Sequence, residues 1–110
     1  MEQGDVYLYT FRAPDKRRPV LILTRDSAIP YLHSVTIAPI TTTIREVPSY
    51  VLLIPDDGMA EECAVNLDSL QTVPKDQLCA FVTHLAPPRM QDVRAAIEFA
   101  LGFEAMRDEP

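Results

Sequence analysis

Two groups of side chains in the first half of the chain have the chemistry needed to bind a phosphate. Arg17 and Arg18 immediately precede an apolar run that begins at Pro19, and three consecutive threonines, Thr41 to Thr43, follow a second apolar run. An arginine guanidinium can hold a phosphate through two parallel hydrogen bonds, and a threonine hydroxyl can donate a further one. With Lys16, the two arginines form a compact basic segment, where we expect an anionic ligand to bind.

The two groups can form one site only if the strands that carry them are neighbours. If the predicted strands at residues 19–24 and 33–40 pair in antiparallel fashion, the start of one adjoins the end of the other and Arg18 meets Thr41. Side-chain alternation would place Thr41 and Thr43 on one side and Thr42 on the other. A basic triplet is usually a solvated surface and a threonine triplet is usually a turn, so the pattern by itself leaves both interpretations open.

Other residues that commonly carry chemistry do not form a recognisable site. The sequence has no dinucleotide-binding fingerprint, P-loop or nucleophile elbow, and its two histidines, His33 and His84, are isolated. Each is expected to be a hydrogen-bonded residue at a strand end. Cys63 and Cys79 are sixteen positions apart, and two cysteines at this spacing suit neither a zinc site nor a disulfide framework. The sequence therefore predicts no metal and no cofactor.

Charge and length limit the classes of protein to which the chain can belong. The net charge is −6, which argues against a strongly basic nucleic-acid coat protein or a polybasic membrane binder. The first 54 residues, however, hold six Lys/Arg against five Asp/Glu, whereas residues 55–110 hold four against eleven. No apolar run approaches the roughly 18 residues of a membrane helix, and the N-terminus lacks a secretion-signal profile, so we expect a cytoplasmic protein. The length predicts one domain, 1–110, with a frayed acidic tail at 104–110.

The elements that must position the phosphate-binding groups are mostly strands. Short runs of β-branched and aromatic residues separated by turn signals predict seven strands, at residues 6–11, 19–24, 34–40, 50–54, 63–65, 70–73 and 78–82. Apolar residues at helical spacing from Pro88 predict one helix, which Gly102 should end. This pattern indicates a mainly β protein (α+β): a small, SH3-like, partly open antiparallel β-barrel with a C-terminal helix. Ligands should then lie in a surface groove between loops.

Five segments of the chain form an ordered set of motifs. They are Gly4-Asp5-Val6-Tyr7, Arg18-Pro19-Val20-Leu21-Ile22-Leu23, Val35-Thr36-Ile37-Ala38-Pro39-Ile40-Thr41, Val65-Asn66-Leu67-Asp68-Ser69-Leu70-Gln71-Thr72-Val73 and Ala95-Ala96-Ile97-Glu98-Phe99-Ala100-Leu101-Gly102. Each segment alone is a weak signal, but five at compatible spacing are specific, and together they cover roughly residues 3–103. In this order they resemble the MazF/PemK family of toxin endoribonucleases, whose fold is the CcdB/MazF-like barrel.

The resemblance implies a toxin of a type II toxin–antitoxin system that cleaves single-stranded RNA at a short sequence without a metal. Arg18 and Thr41 match the family's catalytic arginine and threonine. The RNA 2′-hydroxyl is then the nucleophile, and the products are a 2′,3′-cyclic phosphate and a 5′-hydroxyl. The residues expected to bind RNA are Arg12, Lys16, Arg17, Thr42, Thr43 and Ser69. Two departures from the family pattern, a short loop at 12–17 and an altered segment at 67–71, mean that the target sequence cannot be carried over.

The resemblance also implies partners. We expect a homodimer with RNA in a groove at the subunit junction, neutralised by a MazE-like antitoxin whose acidic disordered tail occupies that groove, and no membrane partner. The alternative function is a non-cleaving toxin of the same fold that inhibits DNA gyrase, which the retained Arg18 and Thr41 argue against. A third possibility is a degenerate relative that only pairs with an antitoxin.

Overall fold

The computed structural model describes residues 1–11 and 16–106. Within these ranges the chain forms strands β1 (Asp5–Phe11), β2 (Lys16–Ile22), β3 (Ser34–Thr41), β4 (Tyr50–Leu53), β5 (Cys63–Asn66), β6 (Gln71–Pro74) and β7 (Phe81–His84). Two helices follow, α1 (Pro87–Ala100) and α2 (Phe103–Met106). Short 3-10 turns occupy Ile29–Tyr31, Pro55–Asp57 and Lys75–Gln77. Neither helix has the length and apolarity that crossing a membrane would require.

The strands form one curled antiparallel sheet, so the predicted partly open barrel with a C-terminal helix is confirmed. The strand order is β4-β5-β3-β2-β1-β7, and β6 also pairs with β3. Strand β3 changes partner along its length: residues 34–37 pair with β6, and residues 40–41 pair with β5. Pro39 falls between these two segments and is paired only with Val20 of β2. The missing N–H of Pro39 therefore lies where β3 leaves one partner and joins another.

Side-chain alternation divides the apolar residues between the two faces of the sheet. On β2, Leu21 packs into a cluster that also holds Val93 and Ala96 of α1. Its neighbours Val20 and Ile22 pack into a second cluster on the opposite face, which Tyr7, Tyr9, Phe11 and Leu78 partly cover. The prediction that the run from Pro19 is buried on both faces is therefore confirmed for Val20, Leu21 and Ile22, although β2 begins at Lys16, earlier than predicted.

The predicted last strand, 78–82, begins later in the structure, at Phe81. Pairing between β1 and β7 is irregular between Val6 and Tyr7, which interrupts the regular ladder. The segment before β7 nevertheless stays bonded to β1: Cys79 N–H donates to the Leu8 carbonyl at 2.9 Å, and Leu8 N–H donates to the Ala80 carbonyl at 3.0 Å. Residues 78–80 thus follow β1 without forming a regular strand.

The C-terminal end differs from its prediction by one short helix. Gly102 has φ +78° and follows the last turn of α1, as the sequence predicts for a left-handed stop. The sequence predicts a frayed tail from residue 104, whereas Phe103–Met106 form α2, because the glycine redirects the chain and a new helical turn can start. Residues 107–110 lie outside the described residues.

Candidate active site

A cleft of about 620 Å³ opens at the rim where β2 begins and β3 ends. Its polar lining residues are Arg17, Arg18, Thr41, Thr42 and Glu61. The remaining lining residues are Leu8, Pro19, Ile40, Met59, Ala60, Cys63 and Val82. The cleft thus combines two guanidinium groups and two hydroxyls with an apolar floor, which is an arrangement suited to a phosphate that carries a sugar and a base.

The pairing of β2 with β3 explains why Arg18 and Thr41 share this cleft. The register pairs Val20 with Pro39 and Ile22 with Ile37. Continued by two residues, the same register places Arg18 opposite Thr41 on one face of the sheet. Both side chains are half-buried. The structure therefore brings together the two residues that the sequence predicts as catalytic.

The hydroxyl of Thr41 has a fixed hydrogen-bonding role. Its Oγ1 accepts the backbone N–H of Thr43 at 3.0 Å. A hydroxyl that accepts from the protein keeps its own proton for donation. Thr41 can therefore donate a hydrogen bond to a phosphate oxygen that enters the cleft.

The three threonines do not follow the strand alternation that the sequence suggests. Strand β3 ends at Thr41, and residues 42 and 43 form a bend. Thr42 lines the cleft, whereas Thr43 is exposed and is not one of the lining residues. The expectation that Thr43 shares a side with Thr41 is wrong, because the bond between Thr43 N–H and Thr41 Oγ1 turns the chain at the strand end.

Of the basic residues expected to bind RNA or to catalyse, Arg17 and Arg18 line the cleft. Arg17 is exposed and Arg18 is half-buried, and neither forms an ion pair with another described residue. Lys16 begins β2, where its Cα is opposite Phe11 of β1. Arg12, predicted to bind RNA, lies outside the described residues.

Ser69 is not among the residues that line this cleft. It is exposed in the turn between β5 and β6, where its Oγ accepts a hydrogen bond from Asn66 Nδ2 at 3.1 Å. That bond stabilises the turn. The structure therefore does not join Ser69 to Arg18 and Thr41 within one chain.

Two cleft residues with ionisable side chains, Glu61 and Cys63, are not predicted from the sequence as part of the site. Glu61 and Cys63 follow the turn at Pro55–Gly58 and reach the cleft because β5 pairs with the end of β3. Burial raises the pKa of the Cys63 thiol, and the negative charges of Glu61, Asp57 and Glu62 raise that pKa further. The thiol is thus held in its neutral form. The only local signal was the position of Glu61 just before a predicted strand.

A second group of polar side chains, away from the cleft, has potential metal-ligand atoms. Glu2, Asp5 and His84 each offer one such atom, and the three atoms lie within 4.8 Å of one another. Asp5 and His84 are already paired, however: His84 Nδ1 lies 2.7 Å from Asp5 Oδ1, and Asp5 Oδ2 accepts the backbone N–H of Glu2 at 2.8 Å. The Glu2 carboxylate lies farther off, 3.9 Å from His84 Nδ1. His84 is the last residue of β7, so its expected role as a hydrogen-bonded strand-end residue is confirmed. The group fastens the N-terminal segment to β7.

Comparison with protein families gives one match that spans most of the chain. Residues 2–101 match the model for the PemK-like, MazF-like toxin of type II toxin–antitoxin systems. Among curated proteins, the probable endoribonuclease MazF5 of Mycobacterium tuberculosis is 44% identical over 86 residues, which is 77% of this chain and 79% of the relative. The endoribonuclease MazF3 of the same species is 47% identical over 60 residues, 54% of this chain and 58% of the relative.

Solved structures give the same result for the fold. The Mycobacterium tuberculosis toxin MazF-mt6 superposes with a TM-score of 0.82 at 33% identity, covering 89% of this chain and 96% of the other. An endoribonuclease in complex with its cognate antitoxin, from a mycobacterial species, has a TM-score of 0.82 at 27% identity, covering 93% and 95%. The relatives' names support RNA endonuclease activity.

Proposed function

The chain belongs to the PemK/MazF family of toxins of type II toxin–antitoxin systems, as its five sequence segments predict, and we propose that it is a metal-independent endoribonuclease that cleaves single-stranded RNA at a short sequence. The observation that carries the proposal is the shared cleft of Arg18 and Thr41. A guanidinium and a hydroxyl donor at one rim can together stabilise the charge on a reacting phosphodiester.

In the proposed reaction, the 2′-oxygen attacks the adjacent phosphorus and the bond to the 5′-oxygen breaks. The products are a 2′,3′-cyclic phosphate and a 5′-hydroxyl end. Negative charge grows on the non-bridging oxygens in the transition state, where the Arg18 guanidinium and the Thr41 hydroxyl would stabilise it. Because the nucleophile belongs to the RNA, the enzyme supplies positioning and charge rather than an activated water.

Binding of the RNA chain is proposed to involve the residues next to the reacting phosphate. Arg17 and Thr42 line the same cleft and would contact flanking phosphates. Arg12 and Lys16 precede Arg17 in the sequence and would extend the positive segment. RNA contacts by Thr43 and Ser69 stay predictions, for which a second subunit or bound RNA would have to bring them to the cleft.

The direct test is cleavage of a long single-stranded RNA by the purified protein in EDTA. We expect recurring cuts whose 5′ ends accept phosphate from a kinase without prior phosphatase treatment. Arg18→Ala should lower kcat by about 10²–10³-fold, the range seen when one transition-state donor is removed. Thr41→Val, which keeps the branched side chain but removes the hydroxyl and its bond to Thr43 N–H, should lower kcat by about tenfold or more.

Arg25→Ala is the matched control for Arg18→Ala, because Arg25 is exposed outside the cleft and should leave cleavage unchanged. An absolute requirement for a divalent metal would contradict the proposal. Equal activity of Arg18→Ala and the wild type would contradict it as well.

We further propose that the active form is a homodimer. Several large hydrophobic side chains are exposed on the single chain, among them Tyr31 (85%) and Phe81 (56%), and a second copy could bury part of this surface. Sedimentation equilibrium should give twice the 12.3 kDa of one chain. A monomer at the concentrations where cleavage occurs would contradict the dimer.

The proposed protein partner is an antitoxin with an acidic, disordered segment. One structural neighbour is an endoribonuclease in complex with its cognate antitoxin. An acidic peptide in the cleft would pair with Arg17 and Arg18, as RNA phosphates would. An acidic peptide should therefore inhibit cleavage competitively with RNA and lose potency as salt rises.

A further inference from the structure

The proposed reaction needs a group that removes the proton of the attacking 2′-hydroxyl. Arg17 and Arg18 cannot do so, because a guanidinium stays protonated and has no acceptor atom. Thr41 and Thr42 offer only weakly basic hydroxyls. The Cys63 thiol is held neutral by burial and by the charges around it.

Glu61 is the one carboxylate among the described residues that line the cleft. Its side chain is exposed, and no other described residue forms an ion pair with it. The carboxylate is therefore not neutralised by a described cation. We propose that Glu61 is the general base of the cleavage reaction, an assignment that rests on the proposed function.

Strand pairing places β5, which begins two residues after Glu61, on the side of β3 opposite the strand that carries Arg18. Thr41 is paired with Ala64 of β5, and Glu61 precedes Ala64 by three residues, at the same rim. Arg18 approaches Thr41 from β2, the neighbour of β3 on its other side. Strands β2 and β5 are therefore two strand spacings apart, which is a distance of about 10 Å between their backbones. A ribose and its phosphate can fit between the two charged side chains across that span.

The step balances with water as the only further participant. The 2′-hydroxyl proton passes to a carboxylate oxygen of Glu61 as the bond between the 2′-oxygen and phosphorus forms. The bond from phosphorus to the 5′-oxygen breaks, and that oxygen takes a proton from water. The proton on Glu61 returns to the resulting hydroxide through solvent. Because attack and departure are in line, a base at the 2′-oxygen lies on the opposite side of phosphorus from the leaving group.

The charges of the cleft also predict how RNA binding changes when the negative charge of Glu61 is removed. A carboxylate near the phosphate chain repels RNA, whereas it is needed for the chemical step. Removing its charge should therefore weaken catalysis without weakening binding. This separation distinguishes a general base from a residue that only shapes the cleft.

The experiment compares Glu61→Gln with Glu62→Gln, the adjacent exposed carboxylate that does not line the cleft. Glu61→Gln should lower kcat by about 10²–10⁴-fold, the usual contribution of a general base, with KM unchanged or lower. Glu62→Gln should cleave like the wild type. Added formate should restore activity to Glu61→Ala in proportion to its concentration, because the small acid can occupy the vacated space, and it should not restore Arg18→Ala.

Three outcomes would overturn the assignment. One is Glu61→Gln cleaving within threefold of the wild type, and another is loss of activity through a raised KM. The third is a failure of formate to restore any activity to Glu61→Ala, when the unfolding midpoint of this variant equals that of the wild type. If the wild type and Glu62→Gln cleave RNA, these outcomes refute the role of Glu61 alone; a wild type that does not cleave refutes the proposed function as well.

Discussion

Thr41 differs from the two threonines that follow it because its hydroxyl oxygen already accepts the Thr43 backbone N–H at 3.0 Å. This bond leaves the Thr41 hydroxyl proton available for donation to a ligand, and it turns the chain after β3. The same principle separates the two cysteines. Cys63 is buried on the floor of the cleft and Cys79 is exposed beside β1. Identical side chains thus acquire different chemistry from the backbone and charges next to them.

This difference predicts selective alkylation of the native protein. Burial and neighbouring negative charges raise the pKa of the Cys63 thiol, which lowers its thiolate fraction at any given pH near neutrality, and the thiolate is the reactive form. Iodoacetamide should therefore modify Cys79 and leave Cys63 unmodified in the folded protein, as read by peptide mass spectrometry.

The control for this labelling is Cys79→Ser, which should take up no label when folded and one per chain in denaturant. Labelling of Cys63 at the rate of Cys79 in the native protein would contradict the prediction. It would mean that the floor of the cleft opens readily to solvent.

At the scale of elements, the turn after β4 determines where Glu61 lies. Asp57 joins this turn to three parts of the chain. Its carboxylate accepts the Ile54 N–H at 2.9 Å and the Arg89 Nε–H of α1 at 3.1 Å, and its carbonyl accepts the Thr83 hydroxyl of β7 at 3.3 Å. The loop that carries Glu61 therefore starts from a turn held by both β7 and α1.

Gly58 ends that turn, and its surroundings predict that adding a single methyl group there would strongly destabilise the fold. Its φ is +96°, and a Cβ at this position would overlap the Thr83 side chain, whose branched Cβ leaves it little freedom. Gly58→Ala should lower the free energy of unfolding by more than about 2 kcal/mol, combining the cost of a left-handed non-glycine residue with a clash. Urea unfolding followed by circular dichroism measures the effect.

Gly102→Ala is the matched control for the backbone cost. Gly102 also has positive φ, at +78°, but the position that a methyl group would take there is open, with no non-neighbouring atom of the described residues within 4 Å. Its substitution should cost about 1–2 kcal/mol from the left-handed conformation alone. Equal losses for the two variants would show that Thr83 moves aside without penalty.

At the scale of the whole molecule, the charge is distributed unevenly around the small cleft that is proposed to bind RNA. The chain carries −6 overall, yet Arg17 and Arg18 line the cleft. An acidic body repels the phosphate chain beyond the cleft, whereas the cleft attracts it. Few phosphates should therefore be neutralised on binding, and selectivity must come from contacts to bases.

The uneven charge predicts a shallow dependence of RNA affinity on salt. Each neutralised phosphate of a single strand contributes about −0.7 to the slope of log K against log salt. Thr41→Val in EDTA, used as a slowly cleaving binder, should give a slope between about −1 and −3, and Arg17→Ala should reduce its magnitude by about 0.7. Fluorescence anisotropy with labelled RNA measures both values. A slope steeper than about −6 would contradict a small basic cleft.

The sequence by itself determined the local elements and identified Arg18 and Thr41 as the candidate pair. The run from Pro19 predicted a doubly buried strand because its residues are apolar on both faces, and Val93 and Ala96 of α1 pack against the sheet as the helical spacing predicted. Arg18 could be placed next to that buried run by its position alone, although β2 begins two residues earlier, at Lys16. These features follow from the periods of strand and helix, which are encoded by neighbouring residues.

Only the tertiary structure decided which residues from distant segments share the cleft. Glu61 reaches the rim because β5 pairs with the end of β3, and Ser69 stays outside because its turn lies beyond the other end of β5. The bend that turns Thr43 away from Thr41 likewise depends on a hydrogen bond and not on strand alternation. Residue spacing encodes which face of a strand a side chain occupies. Which strands pair with each other is decided by the packing of the whole sheet, and that pairing forms the cleft.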